Sequence, residues 1–259
     1  MTKAVIIGSG NVAEAFARAL PEAGVEVVQI FARNAERGGL LAEAAHCGWS
    51  GDPSDIAAAD IYIAAVSDRA IGDVLSALTI PDTAAAVHVS GGQPLSVIPE
   101  RFARRGVLYP LQTFTAGRRV DFSEIPFFIE GSDAATTLFL REFAQRLTNH
   151  IFEIDSVQRA KIHITGVFAC NFVNAMYSAG GEVASLAGVP FDILKPLIAE
   201  TARKAIESGE PRRVQTGPAV RNDTVTMERH LQLLGDCGKP ELKRIYETIS
   251  EYIRDGKKL

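Results

Sequence analysis

The chain has 259 residues, 47% of them hydrophobic and 22% charged, with a formal net charge of −4; these are the proportions of a globular protein with a full core and room for two ordinary domains. No stretch approaches the roughly 18 consecutive apolar residues of a membrane helix, so no spanning helix is expected. Residues 1–155 carry 12 Lys and Arg against 19 Asp and Glu, and so acidic a half argues against a nucleic-acid groove there.

The chain begins "MTKAVIIGSG", which enters a strand pattern directly, with no apolar leader and cleavage site. "KAVIIG" reads as a strand, "VAEAFARALPEAG" as a helix ending at Gly24, and "VEVVQIF" as the next strand. "AERGGLLAEAAHCG" is a helix, and "DIYIAAV" and "AAVHVS" are strands around the helical "RAIGDVLSAL". "GVLYPL" and "FFIEG" are further strands, followed by the helix "DAATTLFLREFAQRL" and a short strand "HIFEID". Near-continuous apolar strands alternating with helices predict a mostly parallel, doubly wound sheet covered on both faces. After Asp155 strand signals cease and helical spacing takes over, broken at "GVPFD", "SGEPRRVQTGPAVRND" and "GDCGKP". The expected organisation is an α/β domain over 1–155 and an all-helical domain over 156–259. Trp49 and the scattered phenylalanines are expected in the core. Cys47, Cys170 and Cys237 are few and far apart, so neither a disulfide framework nor a metal site is expected. A reducing cytoplasm is the expected compartment.

"GSGNVA", Gly8 to Ala13, fits the pattern G-x-G-x-x-G/A between a strand and a helix. Gly8 permits the tight turn, Gly10 lets the backbone approach a pyrophosphate, and Ala13 keeps the helix close to the sheet. Ser9, Asn11 and Val12 complete the turn. Arg33 ends the second strand, 20 residues after Ala13. An acid there would bond the ribose 2′-hydroxyl of NAD, whereas an arginine accommodates the 2′-phosphate of NADP. With Asn34 and Arg37 beside it, Arg33 points to NADP as cofactor. Ligands of such sheets lie beyond the carboxyl ends of the strands. Val66, Ser67 and Asp68 at the end of "DIYIAAV", and Ser90, Gly91 and Gly92 at the end of "AAVHVS", should border the cofactor. Ser67 and Asp68 also suit a helix N-cap.

Reduction of a carbonyl or imine needs a donor to the heteroatom. On a uniform helix "VQRAKIHITGVFACNFVNAMYSAGG", at about 100° per residue, Asn174 and Cys170 fall about 20° to either side of His163, with Asn171 on the flank. His163 is the candidate proton donor, because ordinary imidazoles titrate at about pH 6.5. Asn171 and Asn174 would orient the substrate, and Ser90 and Thr113 would line the opposite wall. In "TGPAVRND", Arg221 is a candidate clamp for a substrate carboxylate; an Arg221–Asp223 pairing, or Asp223 as a helix cap, is the plainer alternative.

"VSDRAI", "HVSGG", "YPLQTF" and "TGPAVRND" occur together, in this order, in one family. The chain resembles these bacterial "putative NADP oxidoreductases", which pair a Rossmann-like domain with a C-terminal domain of unknown function. More distantly it resembles the pyrroline-5-carboxylate reductase and β-hydroxyacid dehydrogenase group, whose helical domain often forms dimers. The resemblance implies NADP, a small-molecule substrate and a homodimer. Two departures stand out. Tyr109-Pro110-Leu111 replaces the family's usual His-Pro-Leu, and Lys161 is followed one turn later by Thr165 where related dehydrogenases carry Asn. The leading expectation is hydride transfer to or from a small carbonyl or imine, with a carboxylate among the options, in a cleft between the domains. The alternative is a non-catalytic NADP-binding or redox-sensing protein. Deazaflavin-linked transfer to NADP is a further alternative that the resemblance implies, since relatives of that group share the fold.

Overall fold

The computed structural model describes residues 1–256. The chain divides into two compact units, one from Met1 to Cys170 and the other from Asn171 onward. In the first, the strands are β1 (Lys3–Ile7), β2 (Glu26–Phe31), β3 (Gly48–Ser50), β4 (Ile61–Ala64), β5 (Ala85–His88), β6 (Arg104–Pro110), β7 (Phe127–Gly131) and β8 (Ile151–Glu153). Among the described residues they form one sheet in the order β3-β2-β1-β4-β5-β6-β7-β8. Neighbours pair in parallel except β6 with β7. The sheet is the doubly wound, mostly parallel one that the alternation of strands and helices predicts. The order reverses between β1 and β4, so the loops leaving these two strands diverge and open a crevice.

Successive strand residues point to opposite faces, and both faces are buried. Ala4, Ile6, Ile30, Ile61, Ile63 and Val87 pack on one side with α1 (Asn11–Glu22). Val5, Ile7, Tyr62, Ala64 and Ala86 pack on the other with α3 (Ile71–Ser76). α1 turns Ala13, Phe16, Ala17 and Leu20 inward, the i, i+3, i+4, i+7 stripe of an amphipathic helix. Phe16 is fully buried and meets Phe122 and Phe127 edge-on, at 5.5 and 6.2 Å between ring centres. The remaining helices of this unit are α2 (Ala35–Ala44), α4 (Ala134–Ala144) and α5 (Ser156–Gly166). α5 opens with a capping box: Asp155 accepts from the Gln158 amide at 2.7 Å, and the Asp155 amide donates back to Gln158 at 3.1 Å.

Trp49 departs from the expected core position. It lies on the edge strand β3 and is 39% exposed, with its indole N–H donating to the Ala32 carbonyl at 3.0 Å. Val167–Phe172 is a π-helix, so the uniform helix used to align His163 with Asn174 is corrected. Such a segment holds more residues per turn than an α-helix, so about 100° per residue does not run through it.

The second unit contains α6 (Val173–Leu186), α7 (Lys195–Ser208), α8 (Pro218–Arg221), α9 (Thr224–Asp236) and α10 (Pro240–Asp255). No strand follows Glu153 among the described residues. The unit's interior is thin: Ala184, Ala219, Met227 and Leu242 are its buried apolar residues among those described. Val183, Leu186, Phe191, Leu197, Leu233 and Ile249 are exposed.

Candidate active site

The glycine turn forms at the carboxyl end of β1. Gly8 adopts φ 120° and donates to the Phe31 carbonyl at 2.8 Å. A Cβ at Gly8 would overlap the carbonyl of Ala65, the residue after β4, so only glycine fits. Gly10 is the N-cap of α1 without a side-chain cap, and the space where its Cβ would lie is open. An uncapped helix N-terminus facing open space suits a pyrophosphate, which would take the place of a capping side chain. Asn11 is already engaged, its amide donating to the Phe114 carbonyl at 3.0 Å.

Two cations stand near the end of β2, and the fold treats them differently. Arg37 is held by Glu14 at 3.5 Å, which also takes Arg18 at 3.1 Å and the Gly117 amide at 3.0 Å. Arg33 is exposed and has no ion-pair partner among the described residues. Asn34 caps α2, accepting from the Arg37 amide at 2.9 Å. The exposed guanidinium of Arg33 and the open Gly10 amides together fit a 2′-phosphorylated dinucleotide.

Val66 borders Gly8, its Cγ1 lying 3.2 Å from where a Cβ would stand. Ser67 starts the short turn Asp68–Ala70 through its carbonyl and not through its hydroxyl. Asp68 and His163 flank one point: a Cβ on Gly92 would lie 3.6 Å from Asp68 Oδ2 and 3.8 Å from His163 Cδ2. His163 is exposed, and its Nδ1 lies 3.1 Å from the Tyr109 hydroxyl. Ser90 folds its own loop, its hydroxyl accepting from the Gly92 and Gln93 amides at 3.2 and 3.1 Å. Thr113 is exposed on the loop after β6, its amide donating to Gln112 Oε1 at 2.8 Å.

The other candidates belong to the second unit. Asn171 and Asn174 line a surface pocket of about 550 Å³ with Ser178 and Glu182. Arg221 is exposed at the end of α8, without an ion-pair contact among the described residues. Asp223 caps α9, accepting from the Thr226 hydroxyl at 2.7 Å and its amide at 3.1 Å. These two bonds, with a smaller contribution from Arg221, hold its carboxyl below the ordinary range. Pro218 and Ala219 line a largely apolar pocket of about 360 Å³ with Tyr246 and Ile249. At its wall the Tyr246 hydroxyl and His230 Nδ1 are 2.9 Å apart.

Sequence reasoning missed the groups that shape the Ser90–Leu95 loop. Arg159 on α5 is fully buried and pairs with Glu130 on β7. It also donates to the Gln93 carbonyl at 2.6 Å and to Ser156 Oγ at 3.2 Å. Ser156 in turn donates to Glu130 at 2.8 Å and accepts from the Leu95 amide at 3.0 Å. His88 is fully buried beneath the same loop. The Ser90 amide donates to its Nδ1 at 3.1 Å, which places the ring proton on Nε2, 3.3 Å from the Pro94 carbonyl. No motif marks Glu130, Ser156 or Arg159, because Glu130 and Gln93 lie 29 and 66 positions from Arg159; His88 heads "HVSGG", but its burial cannot be read there.

This geometry defines a class, a dinucleotide-binding Rossmann oxidoreductase domain with a helical C-terminal unit. Residues 3–91 match the family described as "NADP oxidoreductase coenzyme F420-dependent", and residues 125–253 match a domain of unknown function (DUF2520). A "putative NADP oxidoreductase" from Bacteroides fragilis is 38% identical, with 98% of each chain covered and a TM-score of 0.91. The chain belongs to that family of NADP oxidoreductases, with NADP as its cofactor. Its fold is also similar to 1-pyrroline-5-carboxylate reductase from Streptococcus pyogenes, at 15% identity, 98% coverage of both chains and a TM-score of 0.62. A reductive aminase from Aspergillus terreus, in complex with NADPH and ethyl-5-oxohexanoate, is 18% identical with a TM-score of 0.70, over 99% of this chain and 95% of that one. No protein of the curated set matches the sequence.

His88 makes stability depend on pH. Burial, and then the charge of Arg159, lower its pKa from 6.5 to about 4, against the opposing Pro94 bond and Asp68 charge. The neutral ring's contribution is complete above the unfolded value and is lost as pH falls through that window, because the unfolded chain then binds the extra proton. The loss is on the order of 3 kcal/mol between about pH 7 and 4. Urea unfolding should show that excess loss for the wild type over His88→Asn, whose side chain does not titrate. Equal losses in the two proteins would refute it.

Proposed function

We propose that the protein is an NADPH-dependent reductase of a small molecule bearing a C=N or C=O group, with His163 as donor to the heteroatom. The observation that carries the reading is where His163 lies. Its imidazole is exposed beside Gly91 and Gly92 after β5, across from Asp68 after β4, at the carboxyl ends of strands next to the glycine turn. An imidazole there can hydrogen-bond to, or protonate, a heteroatom on which negative charge develops.

NADPH, when bound, supplies the hydride. The backbone from Gly8 through Ser9, Gly10, Asn11 and Val12 receives the pyrophosphate, and Arg33 with Asn34 takes the 2′-phosphate. Val66, Ser67 and Asp68 border the ribose. Ser90 and Thr113 line the wall of the site. On the second unit, Arg221 offers a guanidinium suited to a carboxylate, and Asn171 and Asn174 offer amides at their pocket. The imine class is supported by the names of similar folds, which include imine reductases from Streptomyces aurantiacus and Bacillus cereus. The compartment we infer is the cytoplasm: the three cysteines are free, and no helix among the described residues is long and apolar enough to cross a membrane.

The second unit's occupant is a second copy of the chain. Its few buried apolar residues and many exposed ones, Ile206 at 80% and Leu197 at 63% among them, leave a surface that needs a partner. Light scattering at micromolar concentration should give the mass of a dimer, and a monomeric mass would refute the assembly.

Cofactor choice is tested by melting temperature. NADPH should raise it more than NADH at equal concentration, and Arg33→Asp should reverse the order; equal shifts unaffected by the substitution would count against Arg33. For the chemistry, His163→Ala should keep NADPH affinity within about twofold while slowing reduction of a cyclic imine at least about a hundredfold. Unchanged turnover would remove His163 from the reaction. Absence of turnover in the wild type would favour the NADP-binding sensor.

A further inference from the structure

We infer that Tyr109 is a positioning residue that locks the neutral His163 ring with its proton on Nε2, and that Gly91 is present to make room for that contact. The inference rests on the role given to His163 above and concerns the state in which that ring waits.

Tyr109 lies near the end of β6, 8% exposed, packed with Val107 and Phe128 and against Leu111 and Ile162. Its ring meets His163 edge-on at 73°, with ring centres 5.9 Å apart, and its hydroxyl stands 3.1 Å from Nδ1. Burial raises its pKa, so the phenol keeps its proton. Among the described residues no other partner for that hydroxyl is found.

Two arrangements of the protons are possible, and they are not equivalent. If Nδ1–H donated to the phenol oxygen, the phenolic hydrogen of the largely buried Tyr109 would have no acceptor among the described residues, which is costly. If the phenol donates to Nδ1, both groups are satisfied and the ring proton must sit on Nε2. His163 then offers an N–H, and not a lone pair, to whatever atom faces it. A fixed donor of that kind steadies negative charge without reorganising as it develops.

Gly91 supplies an independent sign that this contact is built. It is buried, and a Cβ there would lie 2.6 Å from Tyr109 Cζ and 2.7 Å from His163 Nδ1. Both are shorter than any normal carbon contact, and no positive φ accounts for the glycine. A methyl group at position 91 would therefore wedge the two rings apart without altering either one.

The test reads the tautomer directly. Long-range proton–nitrogen NMR correlation on the full chain, labelled with ¹⁵N-histidine, is recorded at about pH 8.5, well above the ordinary imidazole range. His163 is assigned by the signal that disappears in His163→Gln. The wild type should show an unprotonated Nδ1 and a protonated Nε2. In Tyr109→Phe and in Gly91→Ala the two nitrogen shifts should converge towards the average of a free ring. His88, held by the Ser90 amide and Pro94 carbonyl, should keep its pattern in Tyr109→Phe and so report an intact fold. A protonated Nδ1 in the wild type, or a tautomer unchanged in Tyr109→Phe, overturns the inference. Because no substrate is needed, this outcome is separate from success or failure of the turnover experiment.

Discussion

The guanidinium of Arg159 is fully buried, and a charge in that position is tolerable only with an anion and further hydrogen bonds around it. Glu130 on β7 provides the anion, and the Gln93 carbonyl and Ser156 hydroxyl provide the bonds. The pair therefore ties three segments to one point: α5, the antiparallel strand β7 and the Ser90–Leu95 loop. His163 stands four residues beyond Arg159, one turn along the same face of α5. With Arg159 anchored, His163 lies beside Gly91 and Gly92 of the loop that Arg159 holds. Loss of one partner from such a pair typically costs about 3–5 kcal/mol, since the other charge stays buried.

The loop is supported from below as well. His88 uses both ring nitrogens on it, one accepting from Ser90 and the other facing Pro94. Arg159 and a protonated His88 would repel, which reinforces the neutral ring. Gly91 and Gly92 sit above these supports and present almost no side-chain bulk to the site. Rigid backing beneath a bare backbone surface is what a close-fitting ligand site needs.

At the other end of the crevice, Glu14 sorts the arginines. By taking Arg37 and Arg18 it leaves Arg33 exposed and without an ion-pair partner among the described residues. The same carboxylate accepts from Gly117, while Asn11 reaches Phe114. The loop after β6 is thus fastened to the first turn of the dinucleotide helix at two points. Cofactor preference and the shape of that wall share one residue.

Local pattern in the amino-acid sequence was enough for the alternating strands, the glycine turn and the arginine 20 residues beyond it. These depend on periodicity, on a backbone that only glycine can adopt, and on short-range order in the chain. β3 escaped because three residues at a sheet edge carry too little pattern, and Trp49 followed it to the surface. The stripe from His163 to Asn174 assumed a uniform helix, whereas the π-helical Val167–Phe172 changes the angle per residue, and periodicity cannot reveal where that happens. Glu130 and Arg159 looked like ordinary strand and helix residues, and Tyr109 stood out only as a departure from the family's usual histidine. Each becomes meaningful only beside a partner that the sheet topology brings to it: Tyr109 and His163 are 54 positions apart, and Arg159 and Gln93 are 66. The sequence by itself determined the dinucleotide half, since backbone sterics and hydrophobic period act over a few residues. The tertiary structure alone decided which polar side chains are buried, paired and aimed at the site, because desolvation and hydrogen bonding depend on neighbours that chain order does not specify.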